Sequence, residues 1–352
     1  MKKIICLLLT LILTIGFLSS CIYDHNKTSD NGPESEFSNN AQENSSLNTE
    51  DTENTENTDS SVTESPVANF EYEINEKGTI TITKYIGTEE SVVIPHKIDN
   101  IVVERIGTLA FFENSLSSVV MPDSIVSILD AAFQKCKNLE YVKFSSHLKA
   151  VGPIAFNECD SLKTVDLSYD TMTKIYENAF SYCDNLETVV LGNNITSIDR
   201  EAFIYCTALK EINLPNNLES LGMYAFAECR SLESINIPKT LKSWGMCAFA
   251  AALSLKYVTI EDGLECFGSY YTFSGTQIES LVIPKSVINL AYCNFSSYDK
   301  LKEITFEGDA PLYIENKPFG TPEHDIYIYY DPSTSGWDTT SLRDLYILVP
   351  IE

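Results

Sequence analysis

The sequence predicts an α/β repeat solenoid of about ten units, and three observations carry that prediction. Phenylalanine recurs at 111, 133, 156, 180, 203, 226, 249, 273, 295 and 319, at spacings of 22 to 24 residues. Other apolar residues recur at fixed offsets around each of these positions. Between some of them, apolar and polar residues alternate with period two, as in a strand with one buried face. Self-similarity at this period implies a stack in which each unit buries its apolar face only against its neighbours.

Each element follows from two consecutive units. One runs Leu186, Val189, Leu191, then Ile195 and Ile198, then Ala202, Phe203 and Cys206. The next runs Leu209, Ile212, Leu214, then Leu218 and Leu221, then Ala225, Phe226 and Cys229. The opening triplet reads as a short strand. Proline follows it at 122, 215, 238 and 284, and proline has no N–H to extend a ladder. The Ile or Leu pair three apart reads as a second short extended piece. The Ala-Phe-x-x-Cys stretch is expected to form about one helical turn, with Phe and Cys on one side.

The consensus Leu-x-x-Val-x-Leu-Pro-x-x-Leu-x-x-Ile-x-x-x-Ala-Phe-x-x-Cys resembles the BspA-like leucine-rich repeat. The resemblance covers residues 105–320. It implies an N-terminal β cap over 70–104, where Gly78-Thr-Ile-Thr-Ile-Thr precedes Val92-Val-Ile-Pro95. It also implies a C-terminal cap over 321–352, around Ile326-Tyr-Ile-Tyr-Tyr330 and Gly336-Trp337. The last two Phe-containing units depart from the pattern, with Asn294 and Pro318 in place of Ala.

The N-terminus carries its own signals. Lys2 and Lys3 precede an apolar run from Ile4 to Phe17, the pattern of a secretion signal spanning residues 1–20. Leu18-Ser-Ser-Cys21 resembles a bacterial lipobox, which implies cleavage before Cys21 and lipidation (palmitate included) of that residue. The run is too short to span a bilayer as a helix. Residues 22–69 hold 11 acids against one Lys and few apolar side chains. Such a composition cannot bury enough surface to order itself, so 21–69 is expected to be an unfolded acidic tether. The expected location is the outer side of a cell membrane, held by lipid alone.

Composition excludes several functions. A formal charge of −26 argues against nucleic acid and against direct docking on anionic lipid. The four histidines, at 25, 96, 147 and 324, are scattered, and no H-E-x-x-H, P-loop, G-x-G-x-x-G or G-x-S-x-G occurs. Asp262 with Glu265 and Glu50 with Asp51 read as solvated charge. His147 and Asp160 have no nucleophile placed beside them. No C-x-x-C or paired His suggests a metal, and no cofactor is expected. Cys136, Cys159, Cys183, Cys206 and Cys229 all follow the repeat Phe by three residues. That column is expected to be a buried ladder of free thiols rather than disulfides.

Two surfaces remain for binding. The outward positions of the strand are Tyr141 and Lys143, Thr164 and Asp166, Thr188 and Val190, Glu211 and Asn213, Ser234 and Asn236, and Tyr257 and Thr259. They alternate with core residues and face solvent. Parallel columns on one rigid, curved sheet suit an extended partner. The positions two and three before the repeat Phe are polar early in the stack. Later they become Met223 and Tyr224, Met246 and Cys247, and Tyr270 and Tyr271, with Tyr292 beyond. This aromatic stripe is either an interaction patch or packing for a neighbouring loop. The expected function is non-enzymatic binding of an extracellular or surface protein, with adhesion implied by the resemblance. An envelope scaffold or a glycan-capturing protein is the alternative.

Overall fold

Two parallel ladders and a column of tight turns make up each unit of the chain. The structure is a computed structural model that describes residues 63–290, 294–295, 300–315, 317–320 and 324–352. It is a β-solenoid of about eleven turns. The first ladder begins at Ser91–Val93 and Ser118–Val120 and ends at Tyr327–Tyr330 and Ile347–Pro350. Its registers join equivalent residues of successive units, for example Thr164 with Thr188 and Val165 with Val189. The second ladder runs through two-residue strands such as Ser197–Ile198, Ser220–Leu221 and Ser243–Trp244. Before the stack, Phe70–Ile74 pairs antiparallel with Ile80–Tyr85. Ordered pairing starts earlier than the tether boundary at 69 suggests, because Ser65 N–H donates to Val93 O at 2.9 Å.

The core consists of columns. Ten stacked rings run from Tyr85 through the repeat phenylalanines to Phe295, with neighbouring centroids 4.6 to 5.7 Å apart. Burial of each ring contributes roughly 1.5–3 kcal/mol, beside the aliphatic columns that flank it. The cysteine column is buried and its thiols are free. Each thiol donates to the Phe carbonyl of the preceding unit, at 3.0 Å for Cys136 to Phe111 O and 3.3 Å for Cys229 to Phe203 O. The cysteines therefore do more than fill space, since each thiol adds a weak bond between units, in most cases to a carbonyl that also accepts a backbone N–H, as Phe203 O does from Cys206.

Among the described residues, the helical turn is not seen. In place of an α/β solenoid, the Ala-Phe-x-x-Cys stretch forms a chain of tight turns. Two residues per unit, two before and two after the repeat Phe, have left-handed backbone: Ala131 (φ 54°) and Lys135 (φ 62°), or Ile154 (φ 61°) and Glu158 (φ 57°). That conformation interrupts the i to i−4 ladder that a helix needs. The N–H groups of Ala131, Phe133 and Lys135 instead donate to Pro153, Ala155 and Asn157 of the next unit, at 3.0, 2.8 and 2.7 Å. The intervening Ala132, Gln134 and Cys136 close turns three residues back. Left-handed backbone costs a branched residue such as Ile154 about 1–2 kcal/mol, and three inter-unit hydrogen bonds per turn offset it.

At the far end the turn column stops at Phe319. Its N–H donates to the Tyr346 hydroxyl at 3.1 Å, and that hydroxyl donates to Gly320 O at 3.1 Å.

Candidate interaction surface

The first ladder places its outward side chains at solvent because one face of each strand is committed to the core. All twelve strand-face positions named above are exposed. Tyr257 is 68% exposed, Tyr141 50% and Val190 45%, large values for side chains of this size. Asp166 accepts from Ser168 N–H at 3.0 Å, and Asn236 donates to Glu261 at 2.9 Å. The face is thus an array of hydroxyl, amide and aromatic groups on backbone held by parallel pairing.

The face is not one continuous sheet, as the alternation alone suggests. Its strands fall into four hydrogen-bonded groups, and the breaks come at Lys143, Asn213 and Thr259. Lys143 ends the strand Tyr141–Lys143, pairing back to Val120 rather than forward to Asp166. Together with His147, and after the hydrogen bonds from Ser146, it helps hold the Asp123 carboxyl below its usual range. Asn213 lies one residue beyond the strand Glu211–Ile212, so that unit offers two paired residues instead of four. Thr259 pairs back to Asn236 and ends its sheet in the strand Tyr257–Ile260, where Val258 is half-buried rather than buried. Backbone bonds just ahead of the strands still bridge all three breaks: Lys163 N–H donates to Glu140 O at 3.5 Å, Glu233 N–H to Lys210 O at 3.1 Å and Gln277 N–H to Leu255 O at 2.8 Å.

The stripe is divided in its exposure. Met223 and Tyr224 are half-buried, whereas Met246, Tyr270 and Tyr271 are exposed and Cys247 is buried. Tyr224, Cys247 and Tyr271 all have left-handed backbone. Beside them, Gly245 lies so close to Gly222 that a Cβ at 245 would stand 2.1 Å from the Gly222 carbonyl carbon. The backbones of these units therefore pack with no side chain between them. Tyr292 and Cys21 lie outside the described residues.

Aromatic side chains on the turn face were legible only in part. Tyr182 and Tyr205, each two residues after a repeat Phe, stack at 4.8 Å with 13° between their planes. Burial first, then Tyr205 and the carboxylates of Glu201, Glu158 and Glu228, hold the Tyr182 phenol above its ordinary pKa. Glu228 is buried and pairs with Arg230 at 2.8 Å. His147 stands beside Ser146 Oγ at 3.3 Å, while Asp160 takes Lys137 at 3.5 Å, so those two are not joined as a pair.

One column escaped the sequence reading. Over the eight consecutive first-ladder strands that begin at Tyr141 and end with Glu303–Phe306, the residue just before the strand alternates in sign: Glu140, Lys163, Glu187, Lys210, Glu233, Lys256, Glu279, Lys302. Three pairs close as ion pairs, Lys163–Glu140 at 3.0 Å, Lys210–Glu187 at 3.1 Å and Lys302–Glu279 at 3.8 Å. Backbone hydrogen bonds link neighbours along it, such as Glu187 N–H to Lys163 O at 2.9 Å. Comparing one offset across consecutive units, rather than reading along the chain, reveals the pattern.

These ladders, columns and exposed strand faces define a repeat-solenoid scaffold, a class that presents surface rather than a cleft. A profile of the BspA-type leucine-rich repeat region matches residues 104–232 and 219–321, in six copies. The chain belongs to the BspA-type leucine-rich repeat family. It is similar to the crystal structure of a leucine-rich repeat protein of T. pallidum, at 30% identity and a TM-score of 0.52, over 55% of this chain and 91% of that one. It also shares the fold of a leucine-rich repeat protein of Bacteroides ovatus, at 23% identity and a TM-score of 0.63, over 80% and 75% of the two chains. No curated protein matches it.

Proposed function

We propose that this chain is a surface protein, anchored by lipid on Cys21, whose solenoid binds a protein partner without catalysing a reaction. The exposed first ladder carries the reading. Its outward residues recur over six consecutive units, and parallel strands about 4.8 Å apart set their pitch within each sheet. Adhesion to a host or neighbouring cell is the role that fits a lipid-held scaffold of this family.

The test is saturable binding of the full chain to an array of extracellular matrix proteins and glycans. Tyr141→Ala with Tyr257→Ala removes the two largest exposed aromatic groups of the face. The double variant is expected to weaken a protein hit at least ten-fold, about 1.4 kcal/mol, with its melting temperature unchanged. Retained affinity would move the site off the strand face. A response confined to glycans would replace the reading with glycan capture.

Anchoring is checked separately. Cells expressing Cys21→Ala are expected to lose incorporation of labelled palmitate into this protein and to release it from the membrane fraction. Continued labelling would refute lipidation at Cys21.

A further inference from the structure

The alternating column has a symmetry of its own. Its eight charges run from Glu140 to Lys302, bounded at the same offset by the uncharged Ser117 and Ile326. An alternation of even length, read backwards, has the opposite sign at every place. Two copies laid antiparallel therefore set a lysine opposite every glutamate. Glu140 faces Lys302, Lys163 faces Glu279, Glu187 faces Lys256 and Lys210 faces Glu233, and two-fold symmetry makes each contact twice. Parallel copies in the same register would set like charges together.

The steps of the column are fixed at the column itself. Six of the seven are direct backbone hydrogen bonds between successive members, 2.9 to 3.5 Å long, and they continue past the strand breaks at Lys143 and Asn213. At the remaining step, from Lys256 to Glu279, Gln277 N–H donates to Leu255 O at 2.8 Å. A second copy carries the same steps, and the long Glu and Lys side chains absorb small differences between them.

Charge also favours this occupant. Two chains of −26 repel each other, but the eight column charges sum to zero, so repulsion is least along this edge. All eight residues are exposed. The three pairs closed within the chain are 50 to 63% exposed, and such pairs are weak enough to exchange for contacts across an interface. A two-fold axis parallel to the strands also turns the neighbouring column of the strand face onto itself. It brings Glu303 to Tyr141 and Glu211 to Ser234, so no like charges meet there.

We propose that this edge joins two copies of the chain in an antiparallel dimer, with its two-fold axis between Lys210 and Glu233. The inference goes beyond the partner-binding reading and does not depend on it.

Sedimentation equilibrium of the full chain tests it, in mild detergent so that neither the apolar leader nor a lipid drives association. The unaltered chain is expected to form a dimer and nothing larger. Two charge exchanges leave the net charge at −26. In Glu187→Lys with Lys210→Glu, positions 187 and 210 meet like charges at 256 and 233 of the second copy. Glu233→Lys with Lys256→Glu creates the same clashes from the other side. Each variant alone, its fold checked by circular dichroism, is expected to dimerise at least ten-fold more weakly. Mixed in equal amounts, the two variants are complementary at every contact, and the dimer is expected to return. A shift of one unit between parallel copies would leave clashes in that mixture. An unaltered chain that stays monomeric, a dimer that survives both exchanges, or a mixture that does not recover overturns the proposal. A monomeric chain that captures an array protein would sink this inference alone, and a dimer with a blank array would sink only the partner-binding reading.

Discussion

Raising the pH from 7 to 10 under reducing conditions is expected to remove several kcal/mol of stability, on the order of 1 kcal/mol for each of the five column thiols. Burial disfavours the thiolate and is the first cause of the raised pKa at all five positions. At Cys136 it reaches about 12, from an ordinary value of 9.0. The sign follows directly. Near pH 7 the thiols are protonated in both folded and unfolded chains, so their contribution is constant there. From about pH 8 upward the unfolded chain ionises while the folded one does not, and stability falls with pH until the folded thiols titrate in turn. A domain of ordinary stability, about 5–15 kcal/mol, then unfolds near pH 10–11. Urea unfolding at pH 7, 9 and 10 measures the slope. Replacing Cys183, Cys206 and Cys229 by Ala should flatten it by about three fifths. Alanine already occupies this slot at 252. An equally steep slope in the triple variant would mean that other groups are responsible.

Phe203→Ala is expected to cost about 4 kcal/mol. Its ring lies between those of Phe180, 5.5 Å away, and Phe226, 5.2 Å away, and it is fully buried. Truncation leaves a gap in the column that the rigid backbone ladders on either side cannot close. Units in a solenoid are coupled only through their neighbours, so the same change should also lower the cooperativity of unfolding. Phe112→Ala is the control, since Phe112 is 39% exposed and off the column; its cost should stay under about 1 kcal/mol. Similar losses from the two variants would contradict a stacked core.

The unit length, the buried columns and the outward strand positions were readable in the sequence because each is a periodic signal. Val165 in and Asp166 out follows from alternation alone. Alternation says which way a side chain points but not whether its backbone finds a partner, so the sheet breaks at Lys143, Asn213 and Thr259 left no mark. The turn column was misread for a physical reason. Phe133 and Cys136 are three residues apart, and both a helix and a tight turn bring such residues together. Glycine would have marked the left-handed positions, but Ile154, Tyr182 and Tyr224 occupy them. Inter-unit hydrogen bonds impose that conformation, and no local propensity announces it. The division of the stripe was hidden likewise, because the close approach of Gly245 to Gly222 is a contact between units. The charge column was present in the sequence but invisible along it, since its period spans two units.

That column gives the chain two lengths of repetition. The backbone and core recur every 22 to 24 residues, whereas equal charges recur every 46 or 47, as from Glu140 to Glu187 and from Glu187 to Glu233. Removing the single unit 209–231 would keep every apolar column in line but set Glu187 against Glu233. Removing two units would preserve both patterns. A lineage that lengthens or shortens this protein without disturbing its edge must therefore do so in even numbers, so the heritable module is a pair of units rather than one.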